Sequence, residues 1–209
     1  MNIEMGRLRG VSTGIKLVAL IFATSITSCL DDGNDFNYSK VPVFSKEGNI
    51  NCIIEIPAGT NHKIEYDYAS NSFPCKQRGG EARIVQFMPY PANYGFVPST
   101  LMDKERGGDG DALDVFVIAS AIETATVVEC KIVGVCKLLD AGEQDDKLIA
   151  IPIAESLQIV KGNSVSQMDS AALEIIKTWL LNYSSDEMIF QGWGESEEAK
   201  DIIEKWRKG

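Results

Sequence analysis

The sequence predicts a mostly β chain, closed into an antiparallel barrel and flanked by two helices near its C-terminus. Three observations lead there. Short β-patterned runs recur between Cys52 and Ile153, with turn signals such as Pro57-Ala58-Gly59, Arg78-Gly79-Gly80 and Arg106-Gly107-Gly108 between them. Helical periodicity begins only after Met168. No internal repeat and no second domain boundary interrupts the 209 residues.

Taken in order, residues 1–28 read as a secretory leader: Arg7, Arg9 and Lys16 precede a mostly apolar run from Leu17 to Ile26. That run is half the roughly 20 residues a membrane-crossing helix needs. It ends at Ile26-Thr27-Ser28-Cys29, and small residues before a cysteine resemble the lipobox of bacterial lipoproteins. Cys29 is therefore the expected lipidation site, which implies an exported protein anchored on the periplasmic or cell-surface side of a membrane. Leu30-Asp31-Asp32 looks like the acidic export tag of some surface lipoproteins. Residues 29–48, rich in Asp, Gly, Asn, Ser and Pro, have the composition of a flexible tether, with the folded domain expected over residues 49–209.

The β-patterned runs are Cys52 to Ile56, Lys63 to Tyr68, Arg83 to Phe87, Asp114 to Ile118, Thr126 to Leu139 and Lys147 to Ile153. Met168-Asp169-Ser170 offers caps for a helix from Ala171 to Leu181, with Leu173, Ile175, Ile176 and Leu180 as its apolar stripe. A second helix, Glu195 to Lys208, carries Ala199, Ile202, Ile203 and Trp206 at helical spacing and acidic residues in its first turn, which the helix dipole favours.

The most informative stretch is Asp109-Gly110-Asp111-Ala112-Leu113-Asp114, running directly into Val115-Phe116-Val117-Ile118. Three carboxylates within six residues, the last opening a strand, cannot all be buried as charges without cations to neutralise them. Hard oxygen ligands suit Mg2+ or Mn2+, ions that keep waters and meet phosphates. A calcium helix-loop-helix is excluded, because its loop needs Gly where Asp114 stands. A lone acidic turn of this kind is more often simply solvated; the segments described next reverse that preference.

Net charge is −10, and removing the leader, which carries three basic residues against Glu4, takes it to −12. That balance argues against nucleic acid, whose binding rests on Lys and Arg meeting phosphates. Cys52, Cys75, Cys130 and Cys136 lack the paired spacing of a zinc site and are expected as free thiols, Cys130 and Cys136 sharing one strand face. A single His62 makes a histidine metal centre or a serine–histidine triad improbable.

Several ordered segments together resemble the family I soluble inorganic pyrophosphatases. They are Ile54-Glu55-Ile56-Pro57, Asn61 to Tyr66, Pro91 to Phe96, Asp109 to Asp114, Val133-Gly134-Val135, Leu139-Asp140, Asp145 to Pro152 and Gln191-Gly192-Trp193. The resemblance spans about Asn51 to Lys208 and implies an OB-like five-stranded barrel. It implies hydrolysis of diphosphate with several Mg2+ ions, Mn2+ or Zn2+ being possible substitutes, and a homo-oligomer. By the same resemblance Asp109, Asp114 and Asp145 would ligate metal, Asp140 would take a further Mg2+, and Glu55 would reach a cation through water. Asp111 would be the general base for the attacking water. Lys63, Arg83 and Lys147 would contact phosphate oxygens, Tyr94 and Tyr183 would donate hydroxyl hydrogen bonds to them, and Glu65 would steer waters or Lys63.

Three departures stand out. Ala112 replaces the family's usual Pro, Met102 to Gly108 lengthens the loop before Asp109, and Ser184 stands where bacterial members carry a phosphate-binding Lys. Losing that charge-assisted contact would cost about 1.5 to 3 kcal/mol. Two other readings compete: a retired barrel that binds phosphorylated or polyanionic ligands, and a broader phosphoanhydride hydrolase. The complete carboxylate set separates an active enzyme from the first, and substrate range separates it from the second.

Overall fold

The computed structural model describes residues 36–184 and 188–208; the leader and Cys29 lie outside them. The elements are β1 (Ile50–Ile56), β2 (Gln77–Arg78), β3 (Glu81–Ala82), β4 (Asn93–Phe96), β5 (Asp114–Val117), β6 (Val127–Asp140), β7 (Glu143–Gln144), β8 (Lys147–Pro152), α1 (Ser170–Leu180), β9 (Met188–Glu195) and α2 (Ser196–Trp206). Strands β1, β4, β5, β8 and β6 pair in that order, and β6 returns to β1, so the sheet closes as a ring of five. β2 and β3 form a separate hairpin.

A closed ring with an odd number of strands cannot alternate direction all the way round, so at least one pairing must be parallel. It is β5 with β8; the other four are antiparallel. The expected barrel is present, but its pairing is not antiparallel throughout.

β6 is long enough to serve twice: Val127 to Cys130 pairs β1 and Gly134 to Asp140 pairs β9, with a register shift between Ile132 and Gly134. Glycine is required beside the bulge, since a Cβ at Gly134 would strike the Val165 side chain and the Gly194 carbonyl. The bulge also inverts the side-chain alternation. Cys130 packs with Ile132 and Val135 on one face, whereas Cys136 packs with Val133 and Leu138 on the other. The expectation that Cys130 and Cys136 share a face therefore fails, because it assumed an unbroken period of two. Cys52, Cys75, Cys130 and Cys136 are free thiols.

Both faces of the barrel strands are buried: Val115, Val117, Leu148 and Ala150 pack with Trp206 and Ile203 of α2, and Phe116, Ile149 and Ile151 with Ile176 and Trp179 of α1. This explains continuous apolar runs where one-sided burial would leave alternation. In α1 the buried stripe is Leu173, Ile176, Trp179 and Leu180; Ile175, expected within it, is 60% exposed because it lies one residue, or about 100° of helix, from Ile176. Asp169 caps the helix by accepting the Ala171 N–H at 2.8 Å.

Three other expectations change. Residues 36–48 are not tether: Tyr38, Val41 and Val43 are buried, and Tyr38 packs edge-on against Tyr66 and Phe73. Aromatic area outweighed a polar composition there. The runs Lys63 to Tyr68 and Arg83 to Phe87 make only isolated bridges, His62 with Ile84, Ile64 with Cys75 and Asp67 with Ser72. Their main chains satisfy one another outside the barrel. Conversely, β4 and β9 were not anticipated as strands.

β4 is pinned by Asn93, fully buried, whose Oδ1 accepts from Ala58 and Ile122 N–H at 3.0 and 2.8 Å and whose Nδ2 donates to the Ser120 carbonyl at 2.9 Å. Two residues on, a Cβ at Gly95 would strike the Ile53 carbonyl. Asn93→Ala should destabilise the fold by about 2 to 4 kcal/mol, since the buried Ile122 N–H and the part-buried Ala58 N–H lose their acceptor. Urea unfolding measures this; an unchanged midpoint would remove Asn93 from the scaffold.

Candidate active site

Parallel pairing sets Asp114 in register with Lys147, and Lys147 lies beside Cys136 on its other flank. The Lys147 side chain is buried, and its ammonium donates to Asp114 Oδ2 at 2.5 Å and to Asp145 Oδ1. Burial alone would lower the Lys147 ammonium, but the two carboxylates outweigh it and hold its pKa well above the ordinary value. Removing one member of such a cluster leaves a buried charge uncompensated, at about 3 to 5 kcal/mol.

Around this pair the other acids gather. Asp109 accepts the Asp111 N–H at 2.9 Å, an Asx turn closed over Gly110, whose φ is 93°. Burial pushes the Asp109 carboxyl up to about 6, with Asp114 and Asp145 adding repulsion. Glu55 sits at the bulge between Ile54 and Ile56, and its Oε1 accepts the Tyr66 N–H at 2.7 Å. Burial raises its carboxyl to about 7, with Asp114 and Asp111 contributing further. A cavity of about 160 Å3 is lined by Glu55, Lys63, Glu65, Tyr68, Asp111 and Asp114, among others.

The cations arrive from the irregular segment between β1 and β4. Lys63 N–H donates to the Arg83 carbonyl, Arg83 N–H to Lys76 and Lys76 N–H to Lys63, at 2.9, 2.7 and 2.7 Å. Lys63 Nζ lies 3.4 Å from Glu65 and 5.0 Å from the centre of the Tyr94 ring, and Lys76 Nζ lies 2.6 Å from Glu65. Tyr94 and Tyr183 have hydroxyls raised by burial, and each lies within the electrostatic reach of Asp145.

Tyr183 stacks on Trp179 with centroids 4.5 Å apart, and Trp179 Nε1 donates to the Met88 carbonyl at 3.0 Å. Trp179 thus positions a site tyrosine, a role its place in the helical stripe did not signal. Tyr90 was also missed. Its hydroxyl is buried without a hydrogen-bond partner among the described residues, yet it feels Asp114, Arg83, Glu55 and Lys147.

Not every expected residue converges. Arg83 and Tyr183 line a second cavity, of about 360 Å3, together with Arg78 and Ser184. Asp140 ends β6 at the β7 hairpin and is not on either wall. Among the described residues, no three acid, imidazole or thiol groups close on a single point that would hold a metal. The donor set nevertheless fits divalent cations: the six carboxylates Glu55, Glu65, Asp109, Asp111, Asp114 and Asp145 outnumber the ammonium groups of Lys63, Lys76 and Lys147 and that of Lys104, whose side chain lies over Gly110. The ligands available are all oxygen, as Mg2+ requires.

An inorganic pyrophosphatase family model matches residues 52–209, the whole span that builds these cavities. The chain belongs to the inorganic pyrophosphatase family. Similar curated relatives include the inorganic pyrophosphatase of Neisseria meningitidis serogroup B, 32% identical over 186 residues covering 83% of this chain and 98% of the relative. That of Haemophilus influenzae is 33% identical over 174 residues, covering 81% and 93%. Among solved structures, an inorganic pyrophosphatase from Neisseria gonorrhoeae superposes with a TM-score of 0.69 at 29% identity, covering 81% of this chain and 96% of that one. As a pyrophosphatase-family member the chain shares a Mg2+-dependent chemistry, in keeping with its surplus of carboxylates.

The raised carboxyls carry a sign for stability. Between pH 4.5 and about 7 the folded, metal-free protein keeps a proton on Glu55 that the unfolded chain releases, so stability should fall as pH rises through that window and level off above it. Asp109 adds to the fall between 3.8 and about 6. Unfolding in chelator across pH 4.5 to 8 should show a shallower slope for Glu55→Gln than for the unaltered protein, while saturating Mg2+ should suppress the fall in both. Identical slopes in chelator would remove Glu55 as the source.

Proposed function

We infer that this protein hydrolyses inorganic diphosphate to two phosphates. The observation that carries the reading is the family match across residues 52–209, within which Glu55, Asp111 and Asp114 line one cavity together with Lys63 and Lys76. Diphosphate joins two mutually repelling phosphoryl groups, so its hydrolysis needs fixed positive charge on the oxygens and a base for the attacking water. Mg2+, when bound, supplies much of that charge and makes water more acidic.

The chain's residues divide the remaining work. Asp109, Asp114 and Asp145 would hold the cations, with Asp140 and Glu55 as outer acidic positions and Glu65 orienting Lys63. Asp111, exposed at the cavity wall beside the Asx turn, would take the proton from water as it attacks phosphorus. Lys63, Arg83 and Lys147 would bind phosphate oxygens through charge-assisted hydrogen bonds, and the Tyr94 and Tyr183 hydroxyls would donate to them.

We further propose the arrangement 1–28 leader, short tether from 29, then the pyrophosphatase domain, with Cys29 lipidated and the enzyme exported and membrane-anchored. The basic, apolar and small-residue order ahead of Cys29 supports it. A homo-oligomer is proposed on the family resemblance.

Residues 30–209 should release two phosphates per diphosphate with Mg2+ and none in chelator; absence of turnover under both conditions would defeat the reading. Asp111→Asn should cut kcat about 100-fold or more with unfolding behaviour retained. An undiminished kcat would assign the base elsewhere. In a bacterial host, Cys29→Ala should move the full-length protein from the membrane fraction to the soluble one with its activity intact; retention in the membrane would end the lipid-anchor proposal.

A further inference from the structure

The family resemblance assigned no role to Arg78, which lies five residues before Arg83 and lines the larger cavity. β2 and β3 form a two-residue hairpin whose turn, Gly79-Gly80, has φ of 65° and 87°, a geometry that favours glycine at both positions. The hairpin is not free-standing: the Lys63–Lys76–Arg83 main-chain hydrogen bonds tie its base to the segment that carries the site's cations. Its last residue before the turn, Arg78, therefore projects from a fixed stem.

Arg78, Arg83, Tyr183 and Ser184 all line the cavity of about 360 Å3. Among the described residues neither arginine has a carboxylate within ion-pair distance, although Glu81 stands across the hairpin from Arg78. Two guanidinium groups and two hydroxyls around this cavity outweigh its one carboxylate, Glu81, and make an anion subsite. The subsite adjoins the carboxylate cluster: the Arg83 carbonyl accepts the Lys63 N–H at 2.9 Å, and Lys63 lines the cavity that holds Glu55, Asp111 and Asp114.

We propose that Arg78 is a substrate-binding residue that grips the phosphoryl group of diphosphate lying nearest Tyr183, supplying from the hairpin the positive charge that Ser184 does not. The proposal rests on the diphosphate reading given above. Arg78 binds the substrate and is not asked to move a proton, so its loss should appear in KM and leave kcat alone.

The test uses Arg78→Gln, Arg78→Lys, and Arg78→Gln combined with Ser184→Lys, each in the full chain, with Lys161→Gln as a charge control away from the cavities. Arg78→Gln should raise KM for magnesium diphosphate about tenfold with kcat within about twofold. Arg78→Lys should fall between, and Ser184→Lys should restore KM in the Arg78→Gln background. Methylenediphosphonate, which is not hydrolysed, gives a turnover-independent reading by calorimetry in Mg2+, with Arg78→Gln expected to weaken it by the same factor. Equal binding and equal KM in Arg78→Gln and the unaltered protein would overturn the assignment. Tight methylenediphosphonate binding without any diphosphate turnover in the unaltered chain would instead defeat the hydrolase reading, while a drop in that binding on Arg78→Gln would still support Arg78.

Discussion

The parallel pairing of β5 with β8 is the constraint on which the site depends. An odd ring must contain one such pair, and here it is the one that places Asp114 and Lys147 side by side. An ammonium buried between two carboxylates would be costly as an isolated charge, and each carboxylate would be costly without it. The closure of the barrel and the charge balance of the cavity are thus one arrangement. Shifting β8 by one residue would turn Lys147 to the opposite face and leave Asp114 without its ammonium partner.

Acids and bases of the site rest on different kinds of scaffold. Asp114, Asp145, Lys147 and Glu55 stand on or beside barrel strands whose both faces are packed. Lys63, Lys76, Arg78 and Arg83 come from a segment outside the ring, held by main-chain bonds to itself. Carboxylates that must meet multivalent cations need fixed separations, which strands provide. Groups that fit a particular anion can be supplied by a peripheral hairpin, where residues change without disturbing the barrel. The aromatic set of Tyr90, Tyr94, Phe116, Trp179 and Tyr183 joins the two, α1 carrying Trp179 under Tyr183.

Much of the fold was legible. The runs at Cys52, Asp114, Thr126 and Lys147 became β1, β5, β6 and β8, and both helices fell within two residues of expectation. The misreadings share a cause. Lys63 to Tyr68 and Arg83 to Phe87 have strand composition, yet no barrel edge was open to receive them. Tyr38 and Val41 lie in a polar stretch, yet found an aromatic surface to bury against. Cys136 changed face because a bulge at Gly134 inserted one residue. Local pattern reports what a segment would accept; the number of partners available decides what it gets.

The sequence by itself determined the inventory: an acidic turn feeding a strand, lysines next to acids, an all-oxygen donor set suited to hard cations, and enough ordered segments to indicate the family. Those properties are local, fixed by residue identity and short spacing. Tertiary structure alone decided that Lys147 lies between Asp114 and Asp145, that Glu55 is buried enough to rise to about 7, and that Arg78 lines one cavity with Arg83 and Tyr183. Each of these depends on strand register, on burial or on a hairpin's attachment. Those are set by closing a chain on itself, and no spacing along the chain encodes them.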